Sequence, residues 1–327
     1  MPSLIARIFE AFRNATNLRE PATGGPGITQ SDALQPEPPS TLPAGIATQG
    51  LFIIGAARTG TTILQNALND STDIFLLGEP ALHRDPGSAD FATRYNAKHR
   101  AWNNQETKSS YCPRLFEADA CWQAYLARLA ELYRYVGSKI VITPGRAGEE
   151  AERVLAFQSR YFYQSHYVFT FRNPLDVLMS TRGLAEYNGG WVAGYTDVMK
   201  GFFEVVALFI RSLRNLPHVH VVFHEAVDAE VFGRLEQALG IPLSNAASYY
   251  DNRKVRHYTL DAVPESHRTL VADAITLYED FRRAALAGFD LIQIEQNDGH
   301  LHPDHFTVLG RLSWRVTRFL AGIDAHG

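Results

Sequence analysis

Short apolar runs of strand length, each giving way to a helical pattern, recur along this chain and limit its fold more than any other feature. Residues 51–54 precede a helical pattern from Thr61, residues 139–142 form a second run, residues 167–171 lead into a helix from Pro174, and residues 219–223 lead into one from Glu230. Runs that are apolar throughout, without polar alternation, belong to strands covered on both faces, and an intervening helix carries the chain back to start a parallel neighbour. The expected fold is therefore α/β, a three-layer α/β/α sandwich around a central parallel sheet. A chain of 327 residues with 46% hydrophobic content can fill such a core. Two amphipathic helices, 265–287 and 305–320, close the chain. The second spaces Phe306, Leu309, Leu312, Val316 and Phe319 for burial, and Arg311, Arg315 and Arg318 share another face that reads as solvated.

The N-terminal part has a different character. Leu4, Ile5, Ile8, Phe9 and Phe12 repeat at helical spacing, whereas residues 20–49 are rich in Pro, Gly, Ser and Thr and poor in large apolar groups. Residues 1–49 are expected to form an amphipathic helix and a disordered linker, and residues 50–327 the folded domain. Residues 1–17 suit a docking helix or frayed tail, with peripheral membrane contact as the alternative. Arg7, Glu10 and Arg13 interrupt any signal-peptide core, and no run is long and apolar enough to span a bilayer. Cys112 and Cys121 match no zinc or redox spacing, which fits reduced thiols and a cytoplasmic setting. With 31 basic against 35 acidic residues the formal charge is -4, so no global positive field exists to hold nucleic acid, and any anion site must be local.

One such site is written into residues 51–62, a buried strand, a glycine-bearing turn and a helix start. Such a unit points backbone N–H groups without intrahelical partners, together with the positive helix end, at one spot. Gly55 and Gly60 are expected to supply positive φ and close approach, and Thr59, Thr61 and Thr62 hydroxyl donors. The Gly55-to-Gly60 frame has the spacing of a nucleotide-binding P-loop, but Thr61 stands where a triphosphate-hydrolysing enzyme needs lysine. Arg58 carries the loop's only positive charge. A planar guanidinium there suits a donor with one phosphate bearing one small anionic group.

The second site lies in residues 166–180. Arg172 closes a buried strand, Asn173 is placed to cap the next helix, Pro174 fits its first turn, and Ser180 follows eight residues beyond the arginine. A cation at a strand end and a hydroxyl on the adjoining helix can grip a second phosphate.

Together, Gly55 to Thr62 and Phe171-Arg-Asn-Pro-Leu-Asp-Val-Leu-Met-Ser180 resemble the sulfotransferases that use 3'-phosphoadenosine-5'-phosphosulfate (PAPS). Phe223-His224-Glu225 and Leu239-Gly240-Ile241-Pro242 are also similar to that family's later sheet region, so the resemblance runs from about residue 50 to 260. It implies a P-loop-like sulfotransferase architecture in which Arg58, Thr59, Gly60, Thr61 and Thr62 hold the 5' end of PAPS and Arg172 with Ser180 the 3'-phosphate. The product would be 3'-phosphoadenosine 5'-phosphate. Many members carry lysine in place of Arg58 and at the position of Ile142, and the family's Arg-Lys-Gly loop is absent here. Its nearest counterpart is Arg253-Lys254-Val255-Arg256, which closes over the nucleotide or is an exposed basic turn.

Sulfuryl transfer is a loose in-line displacement like phosphoryl transfer, so positioning and charge stabilisation at the leaving phosphate carry it, a task for Arg58 and the loop amides. No acidic cluster has metal-ligand spacing, and no metal requirement is expected. The attacking hydroxyl needs a base. Glu79, twenty-one residues after Arg58 in Leu76-Leu-Gly78-Glu79-Pro80, is the first candidate, in a setting similar to that of carbohydrate sulfotransferases; His83 and Asp85 are substitutes. Aromatics including Trp102, Tyr111, Trp122 and Trp191 are candidates for stacking on an acceptor, with core packing as the other role. Carbohydrate or glycolipid is the first expectation for that acceptor, beside small metabolite alcohols and peptide tyrosine. Two readings from other classes stand beside this one: a P-loop kinase or NTPase, which would need lysine at Thr61, and a non-catalytic nucleotide- or glycan-binding module, which would not need Glu79.

Overall fold

The structure is a computed structural model, and it describes residues 49–84, 86, 90–102, 121–188, 194–250, 258–288 and 308–326. The expected helix and linker over 1–48 lie outside these residues, as do Asp85, Tyr111, Cys112, Trp191, Arg253, Lys254 and Arg256 and the side chain of Trp102.

Among the described residues five strands form one sheet: β1 Gly50–Ala56, β2 Ile74–Gly78, β3 Tyr135–Ile142, β4 His166–Phe171 and β5 His218–Phe223. Their order is β2-β3-β1-β4-β5, and every neighbouring pair is parallel. The apolar runs explain this, because alternate residues of each strand feed two separate cores. Phe52, Ile54, Phe75, Leu77, Ile140, Phe169 and Phe171 face one side, and Leu51, Ile53, Ile74, Leu76, Val168 and Val222 the other.

Among the described residues the helices are α1 Thr61–Asn69, α2 Phe91–Trp102, α3 Trp122–Ala130, α4 Ala147–Tyr161, α5 Pro174–Asn188, α6 Tyr195–Asn215, α7 Ala229–Leu239, α8 Glu265–Leu286 and α9 Val308–His326. Helices α1 and α7 cover the Leu51 face, while α4, α5, α6, α8 and α9 pack on the Phe52 face, giving the three layers expected. In the thicker layer Phe171 meets Phe281 edge-on at 4.8 Å and Phe209 at 5.7 Å. Each such buried ring contributes roughly 1.5–3 kcal/mol of transfer free energy. In α9, Leu309, Leu312 and Val316 are buried as their spacing predicts, and Arg315 pairs with Asp280 at 2.6 Å while Arg318 lies over Trp314. No helix among the described residues is long and apolar enough to cross a membrane.

The helix leaving β1 thus packs on one face, and those leaving β3 and β4, its two neighbours, on the other. Helices that diverge in this way open a crevice at the carboxyl ends of the strands, where open α/β sheets bind ligands.

Candidate active site

The first loop is built around a buried hydroxyl. Thr59 Oγ1 donates to the Ala56 carbonyl at 2.8 Å and lies 2.8 Å from Thr170 Oγ1 on β4. It is fully buried, and with these two contacts inside the fold Thr59 shapes the loop from below. Gly55 sits over the same pair, and a Cβ there would lie 2.5 Å from both threonine oxygens. It serves close approach without positive φ; the left-handed residues are Gly60 at φ 96° and, against expectation, Arg58 at φ 71°. Gly60 precedes α1 with no side-chain cap, which leaves the amides of Thr61, Thr62 and Ile63 open at the positive helix end.

The second motif folds as its residues suggest. Asn173 Oδ1 accepts from Leu175 N–H at 3.0 Å and caps α5. Arg172, Asp176 and Ser180 follow at four-residue steps and share a face of the chain as it enters and runs along α5. Arg172 Nε is 3.7 Å from Asp176 Oδ2, and Asp176 Oδ1 accepts the Tyr258 N–H at 3.3 Å. Ser180 Oγ accepts from Arg58 Nε at 3.0 Å, so the two loops predicted to hold opposite ends of one nucleotide are in direct contact.

Glu79 leaves β2 in a left-handed conformation, φ 52°. Its carboxylate lies 3.2 Å from Lys139 Nζ and 3.8 Å from Lys98 Nζ, and Lys98 also donates to its carbonyl at 2.7 Å. Lys139 has no exposed side-chain surface and donates to Thr62 Oγ1 at 2.9 Å, so it connects Glu79 to the first turn of α1. His83 is committed elsewhere: its Nε2 pairs with Glu150 Oε1 at 3.0 Å inside the fold. Trp122 is fully buried and donates from Nε1 to the Pro86 carbonyl at 2.7 Å, a core role.

Two residues of this region went unassigned in the sequence. Lys139 had a signal, a lysine inside an apolar strand that is covered on both faces, where an ammonium group needs partners. His224 follows β5 at the same edge of the sheet. Its buried Nδ1 has no hydrogen-bond partner among the described residues and faces Gly60, where an added Cβ would meet it at 2.6 Å. Burial, and then the charge of Arg172, push the imidazole down to about 4, so it is neutral at physiological pH. A strand-end position at the sheet's carboxyl edge was the available clue. Arg58, the open amides of α1, Ser180, Arg172 and His224 thus gather at the exits of β1, β4 and β5, and Glu79 follows the end of β2 beside Lys139, which lies within β3.

Comparison with known proteins adds to this geometry. The chain is similar in fold to the sulfotransferase domain of the Synechococcus olefin synthase, at 14% identity and a TM-score of 0.44, over 84% of this chain and 94% of that one. It is similar also to the sulfotransferase domain from the curacin biosynthetic pathway, at 16% identity and a TM-score of 0.41, over 69% of this chain and 96% of that one. A sulfotransferase from Mycobacterium avium matches at 15% identity and a TM-score of 0.37, over 65% of this chain and 69% of that one. No curated protein matches the chain. The profile of the sulfotransferase family matches residues 50–244, more than half of the sequence and all five strands with both loops described above. The chain belongs to the sulfotransferase family.

Proposed function

We propose that the domain beginning near residue 50 transfers a sulfuryl group from PAPS to an acceptor hydroxyl, without a metal, and that Glu79 is the base. The single observation that supports this reading is the 3.0 Å contact between Arg58 and Ser180, because these residues belong to the two motifs proposed to hold the 5' and 3' ends of one nucleotide. The residues present fit such a donor. Open helix amides and a guanidinium suit the phosphosulfate end, and Arg172 with Ser180 suits a further phosphate. The buried, unpartnered Nδ1 of His224 facing Gly60 is a polar atom still to be satisfied between them.

When bound, PAPS supplies the sulfuryl group and a phosphate leaving group. Arg58 and the amides of Thr61 and Thr62 stabilise the charge that develops on that phosphate. Glu79, positioned by Lys139 and Lys98, accepts the proton of the attacking hydroxyl. Lys139 holds both Glu79 and Thr62, so it keeps the base in register with the loop. The Gly78-Glu79-Pro80 setting supports a carbohydrate or glycolipid acceptor.

Thermal-shift titration separates this reading from an ATP-using enzyme. 3'-Phosphoadenosine 5'-phosphate is expected to raise the melting temperature well above any effect of ATP at equal concentration. Sulfate transfer from labelled PAPS to a panel of glycans then tests catalysis, and nucleotide binding without transfer to any hydroxyl would leave a binding module instead.

A further inference from the structure

The turn that carries Glu79 adopts a backbone that its own residues do not favour. Glu79 at φ 52° and Ala81 at φ 54° are both left-handed, and neither is glycine. Such conformations persist only where the surroundings over-determine them. The turn closes through Arg84 N–H to the Ala81 carbonyl at 3.0 Å, and Lys98 holds the Glu79 carbonyl.

A further tie comes from Glu150, in the first turn of α4. Its Oε1 accepts from His83 Nε2 at 3.0 Å and from Arg84 Nε at 2.8 Å, and its Oε2 from Thr143 N–H at 3.5 Å. A carboxylate only accepts, so Nε2 carries the proton and the tautomer of His83 is fixed. Burial raises the pKa of the Glu150 carboxyl, but the His83 hydrogen bond and Arg84 outweigh it and hold the group below its ordinary value. Its neighbour Glu149 instead pairs with Arg153 and Arg146 at the surface. One buried carboxylate therefore fastens the exit of β2 to the exit of β3, the strand that bears Lys139.

We propose that Glu150 is a positioning residue for Glu79, acting through His83 and Arg84; the inference rests on the reading of Glu79 as the base. Glu150 fixes where the Glu79 turn lies relative to Lys139.

The test is a double-mutant cycle of Glu150→Gln and Glu79→Gln, with single-turnover rates, kcat and the KM for PAPS measured on each. Misplacing a reacting group by about 1 Å costs on the order of 100-fold. Glu150→Gln is expected to lower kcat by about that factor, leave the KM for PAPS within about twofold, and cause no further loss in the Glu79→Gln background. An equal loss in both backgrounds, or a rise in donor KM with kcat unchanged, overturns the proposal. Full turnover in Glu150→Gln with an inactive Glu79→Gln overturns it while the base reading stands, and parental turnover in Glu79→Gln removes both. Binding of 3'-phosphoadenosine 5'-phosphate reports whether each variant is folded. Should Glu150→Gln not fold, Arg84→Met, whose side chain is half exposed, takes its place in the cycle. A smaller loss of kcat that vanishes without Glu79 supports the proposal, and one that persists contradicts it.

Discussion

Arg58 Nε donates to Ser180 Oγ at 3.0 Å across 122 residues of sequence, and this contact links the loop after β1 to the helix after β4. The guanidinium lies at the boundary of two predicted phosphate sites. It is turned there by a left-handed backbone that a residue other than glycine rarely adopts.

Removing the acceptor of that contact should weaken nucleotide binding and leave the fold intact, since Ser180 is only part-buried. A hydrogen bond to a charged group is worth about 1.5–3 kcal/mol. Ser180→Ala is expected to weaken 3'-phosphoadenosine 5'-phosphate about tenfold, near the lower end of that range, while adenosine 5'-phosphate binding changes less. Calorimetric titration of both nucleotides checks this; an equal loss for the two would place Ser180 away from the 3'-phosphate.

Lys139 is fully buried between Glu79 and Thr62. Removing one partner of a buried ion pair is costly where the other charge is left buried and unpaired, but Glu79 is partly exposed and keeps Lys98. Lys139→Met is therefore expected to melt within a few degrees of the parent while its turnover falls by about 100-fold or more. Thermal melts and initial rates on the same sample decide it, and parallel losses would make Lys139 purely structural.

Thr59→Val should act on stability. It removes the hydrogen bond to the Ala56 carbonyl and leaves the Thr170 hydroxyl unsatisfied in a dry site. The expected cost is about 1–3 kcal/mol, or several degrees in Tm for a domain of this size. A melting temperature equal to the parent's would mean that the loop does not depend on this hydroxyl.

At the amino ends of β4 and β5, away from the site, His166 Nδ1 lies 3.2 Å from His220 Nε2, and His218 stacks on His166 at 4.7 Å. The ring of Tyr135 meets His166 edge-on. Burial, and then the neighbouring imidazoles, lower both His166 and His220 from 6.5 to about 4. Below pH 6.5 the unfolded chain takes up protons that the folded chain refuses, so stability is full above about 6.5, falls as the pH drops, and levels off below about 4. Urea unfolding at about pH 7.5 and pH 5 should show this fall, and the pair His166→Asn with His220→Asn should flatten it. A slope unchanged in the double variant would assign the loss to other groups.

The layered sheet was legible because strands buried on both faces are apolar throughout, and both loops were legible because their chemistry is local in sequence. Helix α6 went unread although it carries a helical stripe: Val198, Phe202, Val205 and Phe209 are buried while Lys200, Glu204, Ala207 and Arg211 line a less buried side. The orientation of Thr59 was also hidden, because its partner Thr170 lies 111 residues away on another strand. The same holds for His83 and Glu150, separated by 67 residues. Glu79 was singled out by its setting, whereas its lysine partners come from α2 and β3, which no local pattern connects to β2.

The paired hydroxyls of Thr59 and Thr170 bolt the exit of one strand to the strand beside it. The separation of those exits is then the spacing of adjacent hydrogen-bonded strands, about 4.8 Å, a length set by peptide geometry and insensitive to side-chain motion. The sheet itself sets this distance, so the placing of the two exits relative to one another needs no moving part.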